Sequence, residues 1–167
     1  VSLDSTGESS LIIIQSAELD VGDEVGLFDD NGIVESCDSD SATECEMGEV
    51  LVGSGIWTGE QLEIVGIGSI DLSQFDGPVL NGYVDGNSIV YKVWKSSTDT
   101  EYGANVSYLN GNGTWGEILT VVSLIEPIFS IEQSIELSPY RKNLASLNVT
   151  LEDNSVSYIF EDLDLLL

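Results

Sequence analysis

The stretch "GEVLVGSGIWTGEQLEIVGIGS", Gly48 to Ser69, decides the fold class. Its two halves, Gly48 to Trp57 and Gln61 to Ser69, are rich in β-branched and aromatic residues and are separated by the turn tripeptide "TGE". Such runs between Gly-containing breaks are strands. The same grammar extends outward to "SSLIIIQ" (Ser9–Gln15), "DEVGLFD" (Asp23–Asp29), "SIVYKVWK" (Ser88–Lys95), "ANVSYLN" (Ala104–Asn110) and "EILTVVSLI" (Glu117–Ile125), with "DDNG", "VDGN" and "NGNG" at turn positions. Short strands at this spacing predict an all-β domain over residues 1–127, a mainly antiparallel β-sandwich of Ig-like or jelly-roll-like type. The apolar run "LIIIQ" predicts burial on both faces of its strand. Asp71 to Asn87, with Gly, Pro and Asp scattered through it, reads as a long ordered loop, a usual place for binding.

The character changes after Pro127. Residues 128–167 read as strand, strand, short helix and strand, the opening of a second module whose remainder is missing. Asp153 or Asn154 caps the helix, and Val156, Ile159, Phe160 and Leu163 share one face. The chain closes on Leu165, Leu166 and Leu167, an apolar ending that a neighbour would cover.

Charge narrows the partners. The 167 residues hold 30 Asp plus Glu against 4 Lys plus Arg and no His, a net charge of -26. Phosphate backbones need clustered cations, so nucleic acid is excluded, and anionic membrane surfaces are equally poor partners. No stretch approaches the roughly 18 to 20 continuous apolar residues of a membrane span, which predicts a soluble chain without membrane insertion. Cations, neutral ligands and other proteins remain. The opening "VSLDSTGESS" lacks a Met and reads as a processed end or an artificial boundary.

Cys37 and Cys45 fit no CxxC metal pattern. In an exported protein they read as a disulfide across a tight acidic loop; in the cytosol they would be two free thiols.

Enzymatic chemistry finds little to stand on. With no His and no G-x-S-x-G elbow, Ser-His-Asp, Cys-His and zinc-hydrolase mechanisms are excluded. Calcium is better motivated, because hard cations take carboxylate and carbonyl oxygens from Asp/Asn/Gly turns. Asp20, Asp23, Asp29, Asp30 and Asn31 form one candidate cluster, Asp38, Asp40 and Glu44 a second inside the cysteine loop, and Asp85 and Asn87 a third. The competing reading makes them solvated turn residues of a protein adapted to salty water, where the Debye length falls to about 4 Å.

A neutral glycan would need exposed aromatics. Trp57, Trp94, Trp115, Tyr83 and Phe75 are the candidates: Phe75 and Tyr83 lie in the long loop and Trp115 beside "NGNGT", whereas Trp57 and Trp94 fall within strand patterns, where core packing is the expected role. Self-association is the third possibility. The segment before Leu11 reads as a detachable strand-like arm, and Ile159, Phe160, Leu163 and Leu165 to Leu167 as apolar surface seeking a copy of the chain or a neighbouring module. The sequons at Asn105, Asn112 and Asn148 are read as chance matches.

Three segments, "GDEVGLFDDNG", "VLVGSGIWTGEQLEIVGIGS" and "GYVDGNSIVYKVWKSSTDTEY", together resemble a module repeated in large secreted or surface proteins of marine, Bacteroidetes-type bacteria that carry a C-terminal sorting domain. The resemblance covers roughly Glu8 to Val122. The segment from Ile135 onward resembles the start of the module that often follows, although Tyr140 to Ser146 departs from its "GWNLIS" form. The resemblance implies export and an extracellular β-rich architecture, and supplies no catalytic residues. The expected function is therefore a non-catalytic structural or adhesive module at the cell surface, a subunit of an assembly or filament built by strand or edge pairing and stabilised by calcium. The alternative is a carbohydrate-binding module of a secreted multi-domain protein.

Overall fold

The computed structural model describes residues 6–38 and 45–129. Residues 130–167 of the expected second module, with the predicted helix and the apolar side chains Ile159, Phe160, Leu163 and Leu165 to Leu167, lie outside them. The fold is all-β. Its strands are β1 (Ser9–Ile14), β2 (Glu24–Ile33), β3 (Met47–Ile56), β4 (Leu62–Ile67), β5 (Ile70–Asp71), β6 (Val79–Leu80), β7 (Val90–Lys95), β8 (Thr100–Asn110) and β9 (Leu119–Pro127). Seven of them form one sheet in the order β3-β2-β7-β8-β9-β1-β4, while β5 and β6 pair separately. Every pairing is antiparallel except that of β1 with β9.

One long strand lets the sheet fold onto itself. β8 pairs with β7 over Thr100–Gly103 and with β9 over Ala104–Asn110, so it belongs to both halves. Alternate residues from the two halves meet in one core: Ile12 and Ile14, Val25 and Leu27, Val50 and Val52, Ile64, Tyr91 and Val93, Val122 and Ile125. Where the edge strands β3 and β4 meet, glycine makes room, since a Cβ on Gly53 would come within 2.6 Å of the Val65 carbonyl oxygen.

Trp115 and Tyr83 fill one end of this core. Their rings stack 4.4 Å apart at 5°. β4 receives them at two glycines, because a Cβ on Gly66 would lie 2.6 Å from the Trp115 ring and one on Gly68 2.9 Å from Tyr83 Cζ. The Tyr83 hydroxyl is 2.9 Å from Ser10 Oγ, and Trp115 Nε1 donates to the Phe28 carbonyl at 3.4 Å. Burial therefore removes Tyr83 and Trp115 from the candidate sugar-binding aromatics.

Several expectations need correction. "DDNG" does not end its strand: β2 runs on to Ile33 with register shifts between Leu27 and Phe28 and between Asp29 and Gly32. The reason is local, as the Asp29 carboxylate turns inward and accepts the Asn31 backbone N–H at 2.9 Å. Of the segment before Leu11, Ser9 and Ser10 are not detachable, since they open β1 and pair with Ile67 and Gly66 of β4, while residues 1–5 lie outside the described residues. Leu11 and Ile13 are only half-buried, so one face of β1 is core and the other partly covered. The long loop is also more regular than expected, with a 3-10 turn at Ser73–Phe75 between β5 and β6.

Candidate functional site

The period of two that fills the core also determines what faces outward. On β7, Tyr91 and Val93 point inward, which places Lys92 and Trp94 on the outer face; on β2, Val25 and Leu27 do the same for Glu24, Gly26 and Phe28. Register then aligns these residues in rungs across the sheet. Glu24 stands opposite Trp94, and Trp94 opposite Glu101 of β8. In the next rung Ser54, Gly26 and Lys92 are aligned, and beyond it Leu51 faces Phe28. Directly opposed residues in a sheet are within side-chain reach, so Trp94 stands between two glutamates, Glu24 and Glu101, in its rung.

These residues line a shallow groove of about 230 Å³ bounded by Glu24, Gly26, Phe28, Leu51, Ser54, Lys92, Trp94 and Glu101. Gly26 keeps its floor low, for a Cβ there would lie 2.7 Å from the Phe28 ring. Lys92 Nζ sits 4.5 Å above the centre of that ring, a cation–π contact. It also bonds Glu49 Oε1 at 2.7 Å and lies 3.4 Å from Glu101 Oε1. The Glu49 hydrogen bond is the chief cause that raises the Lys92 pKa above its ordinary value, with Glu101 adding to it against partial burial. Trp94 remains 38% exposed and Leu51 39%. Trp94 is thus not a core residue, contrary to its strand pattern, whereas Trp57 is buried as expected.

Two of the acidic residues expected to hold calcium, Asp23 and Asp29, are buried. Asp23 is fully buried. Its Oδ1 accepts the Ser96 backbone N–H at 3.0 Å and the Ser96 hydroxyl at 3.1 Å, and its Oδ2 accepts the Asp20 backbone N–H at 2.9 Å and Lys95 Nζ at 2.6 Å. Burial works to raise the Asp23 pKa, but the bonds from Lys95, Ser96 and Asp20 hold it below its ordinary value. Lys95 also bonds the exposed Asp20 at 2.9 Å, so one ammonium joins both carboxylates.

Asp29, also fully buried, joins the first cluster to the third. Besides Asn31 it accepts the Val84 backbone N–H at 2.8 Å and the Asn87 side-chain amide at 3.0 Å, and the same amide reaches the Asn31 carbonyl at 3.0 Å. Its donors are neutral N–H groups that tie β2 to the turn before β7. Asp30 and Asp85 are exposed, as is Asp38, while Asp40 and Glu44 lie outside the described residues. Among the described residues no three His, Cys, Asp or Glu converge as a metal site.

Cys37 and Cys45 are joined in a disulfide, with Cα atoms 5.6 Å apart. Cys37 and Val79 exchange two backbone hydrogen bonds of 2.9 Å, which anchors the ring to β6. Phe75 is 83% exposed at the tip of the 3-10 turn, away from the described groove lining. No helix among the described residues is long and apolar enough to cross a membrane.

Reading by residue type names Trp94 among the candidate aromatics but assigns it to the core, and it does not find the groove residues Glu24, Phe28, Lys92 and Glu101. Alternation on "EVGLF" and "YKVW" puts Glu24, Phe28, Lys92 and Trp94 on one face once the buried phase is known, and the β7–β8 register adds Glu101. No protein-family model, no curated protein and no solved structure matches the chain.

Proposed function

We propose that this chain is a non-catalytic binding module of an exported protein and that its outer sheet face takes a sugar ring against Trp94. The observation that carries the reading is the rung Glu24–Trp94–Glu101, a half-exposed tryptophan between two glutamates. A pyranose face has C–H groups that pack on an aromatic ring and hydroxyls that donate to carboxylates at its rim, and the Phe28 and Leu51 floor extends the apolar area. Export is supported by the disulfide, because such bonds persist in oxidising compartments. The test is a titration of the chain against a panel of soluble polysaccharides, with Trp94→Ala as the control: binding that Trp94→Ala abolishes supports the reading, and binding that Trp94→Ala leaves intact sinks it.

A structural or adhesive role at the cell surface is the second reading. It is favoured by Leu109, Ile118 and Leu119, apolar residues exposed at the β8–β9 end of the domain. Packing of that end on a neighbour would bury them. Pairing through a free sheet edge has less support, since β3 and β4 approach each other at Gly53. Light scattering that gives one monomer mass across a hundredfold range of concentration would count against this role.

A further inference from the structure

We infer that Glu49 and Glu101 determine the specificity of the groove: by engaging Lys92 they restrict it to uncharged sugars and make it reject uronates and sulfated sugars. The inference rests on the sugar-binding reading of this face and names its ligand class. Lys92 and Lys95 are the only Lys or Arg among the described residues, and Lys95 is held by Asp23 and Asp20. Lys92 is therefore the one described cation at the groove. Its ammonium faces Glu49 at 2.7 Å and Glu101 at 3.4 Å, and the Phe28 ring lies beneath it.

An anionic sugar would have to displace one of these carboxylates and leave it unpaired beside the newcomer, in a chain of net charge -26. Unpaired and like-charge groups placed against a wrong ligand are how interfaces discriminate. A neutral ring only needs acceptors for its hydroxyls, and Glu24 and Glu101 beside Trp94 provide them. Glu49 lies outside the groove lining, so it acts on charge through Lys92 and not by touching the sugar.

The test compares the intact chain with Glu49→Gln on matched neutral and uronate-containing polysaccharides at low salt, reading the ratio of affinities. The wild-type chain is expected to favour the neutral member by at least about tenfold. Glu49→Gln is expected to shrink that ratio by about threefold or more, and adding Glu101→Gln to shrink it further. Equal affinity for both classes, or a ratio unmoved by Glu49→Gln in a variant with the wild-type circular dichroism spectrum, would overturn the inference while leaving sugar binding in place. Absence of binding to either class would instead overturn the sugar reading, and this inference with it.

Discussion

Asp23 Oδ2 lies 2.6 Å from Lys95 Nζ, and the pair joins three segments of the chain. Asp23 precedes β2, Lys95 closes β7, and the backbone of Asp23 accepts the Trp57 N–H at 2.8 Å just beyond β3. Breaking a buried pair by removing one partner strands the other and commonly costs about 3 to 5 kcal/mol. Asp23→Ala is therefore expected to lose about 3 kcal/mol, measured by urea denaturation, whereas Asp20→Ala, whose side chain is largely exposed, should lose under about 1 kcal/mol.

The same pair sets a pH dependence. The Asp23 pKa is depressed in the fold, so its contribution is present above the ordinary Asp value of 3.8 and is lost as pH falls through the folded value. Lys95 behaves oppositely: its raised pKa gives a contribution complete below 10.5 and lost as pH rises through the folded value. Denaturation midpoints of the wild type should fall at both extremes. In Asp23→Asn the acid limb should be shallower, and an unchanged acid limb would show that another carboxylate governs it.

Trp94 and Trp115 should separate binding from folding. Trp115 is fully buried in the glycine slot of β4, and Trp115→Ala is expected to cost about 3 to 5 kcal/mol. Gly66→Ala should be harmful for the same reason, since its Cβ would enter the Trp115 ring. Trp94→Ala should change the melting temperature by only a few degrees and show its effect in ligand binding.

Removing the disulfide tests its structural role. Replacing Cys37 and Cys45 by Ser opens a short ring, which by the chain-entropy relation costs about 2.5 kcal/mol. Loss of protection at the Cys37 and Val79 amides in hydrogen exchange should accompany it, because the ring holds that bridge.

Thr120 gives the opposite sign. Its side chain is fully buried and Oγ1 has no hydrogen-bond partner among the described residues. An unsatisfied buried hydroxyl costs about 1 to 3 kcal/mol, so the nearly isosteric Thr120→Val should be at least as stable as the wild type. A clear loss of stability would mean that a bound water satisfies the hydroxyl.

The strands were legible because β-branched runs between Gly-containing breaks leave few alternatives: "SSLIIIQ" became β1 and "EILTVVSLI" most of β9, within a few residues. Long-range pairing was not. Nothing local tells that β1 lies between β4 and β9, or that Gly66 and Gly68 serve a tryptophan and a tyrosine from distant turns. The roles of the acids were not legible, because Asp and Asn bind cations and accept backbone N–H groups with the same oxygens; the coordinates show that Asp23 and Asp29 accept N–H groups. The groove was missed because Trp94 has a strand pattern on both sides, and its outward phase is fixed only once Tyr91 and Val93 are known to be inside.

The most direct test of the central claim is intrinsic fluorescence during titration with neutral oligosaccharides. Trp57 and Trp115 are buried and Trp94 is half-exposed, so stacking on Trp94 should shift the emission of the wild type and leave Trp94→Phe without a shift. A saturable shift confined to chains that keep Trp94 is the predicted result. The same shift in Trp94→Phe, or none with any neutral sugar at millimolar concentration, would contradict the account.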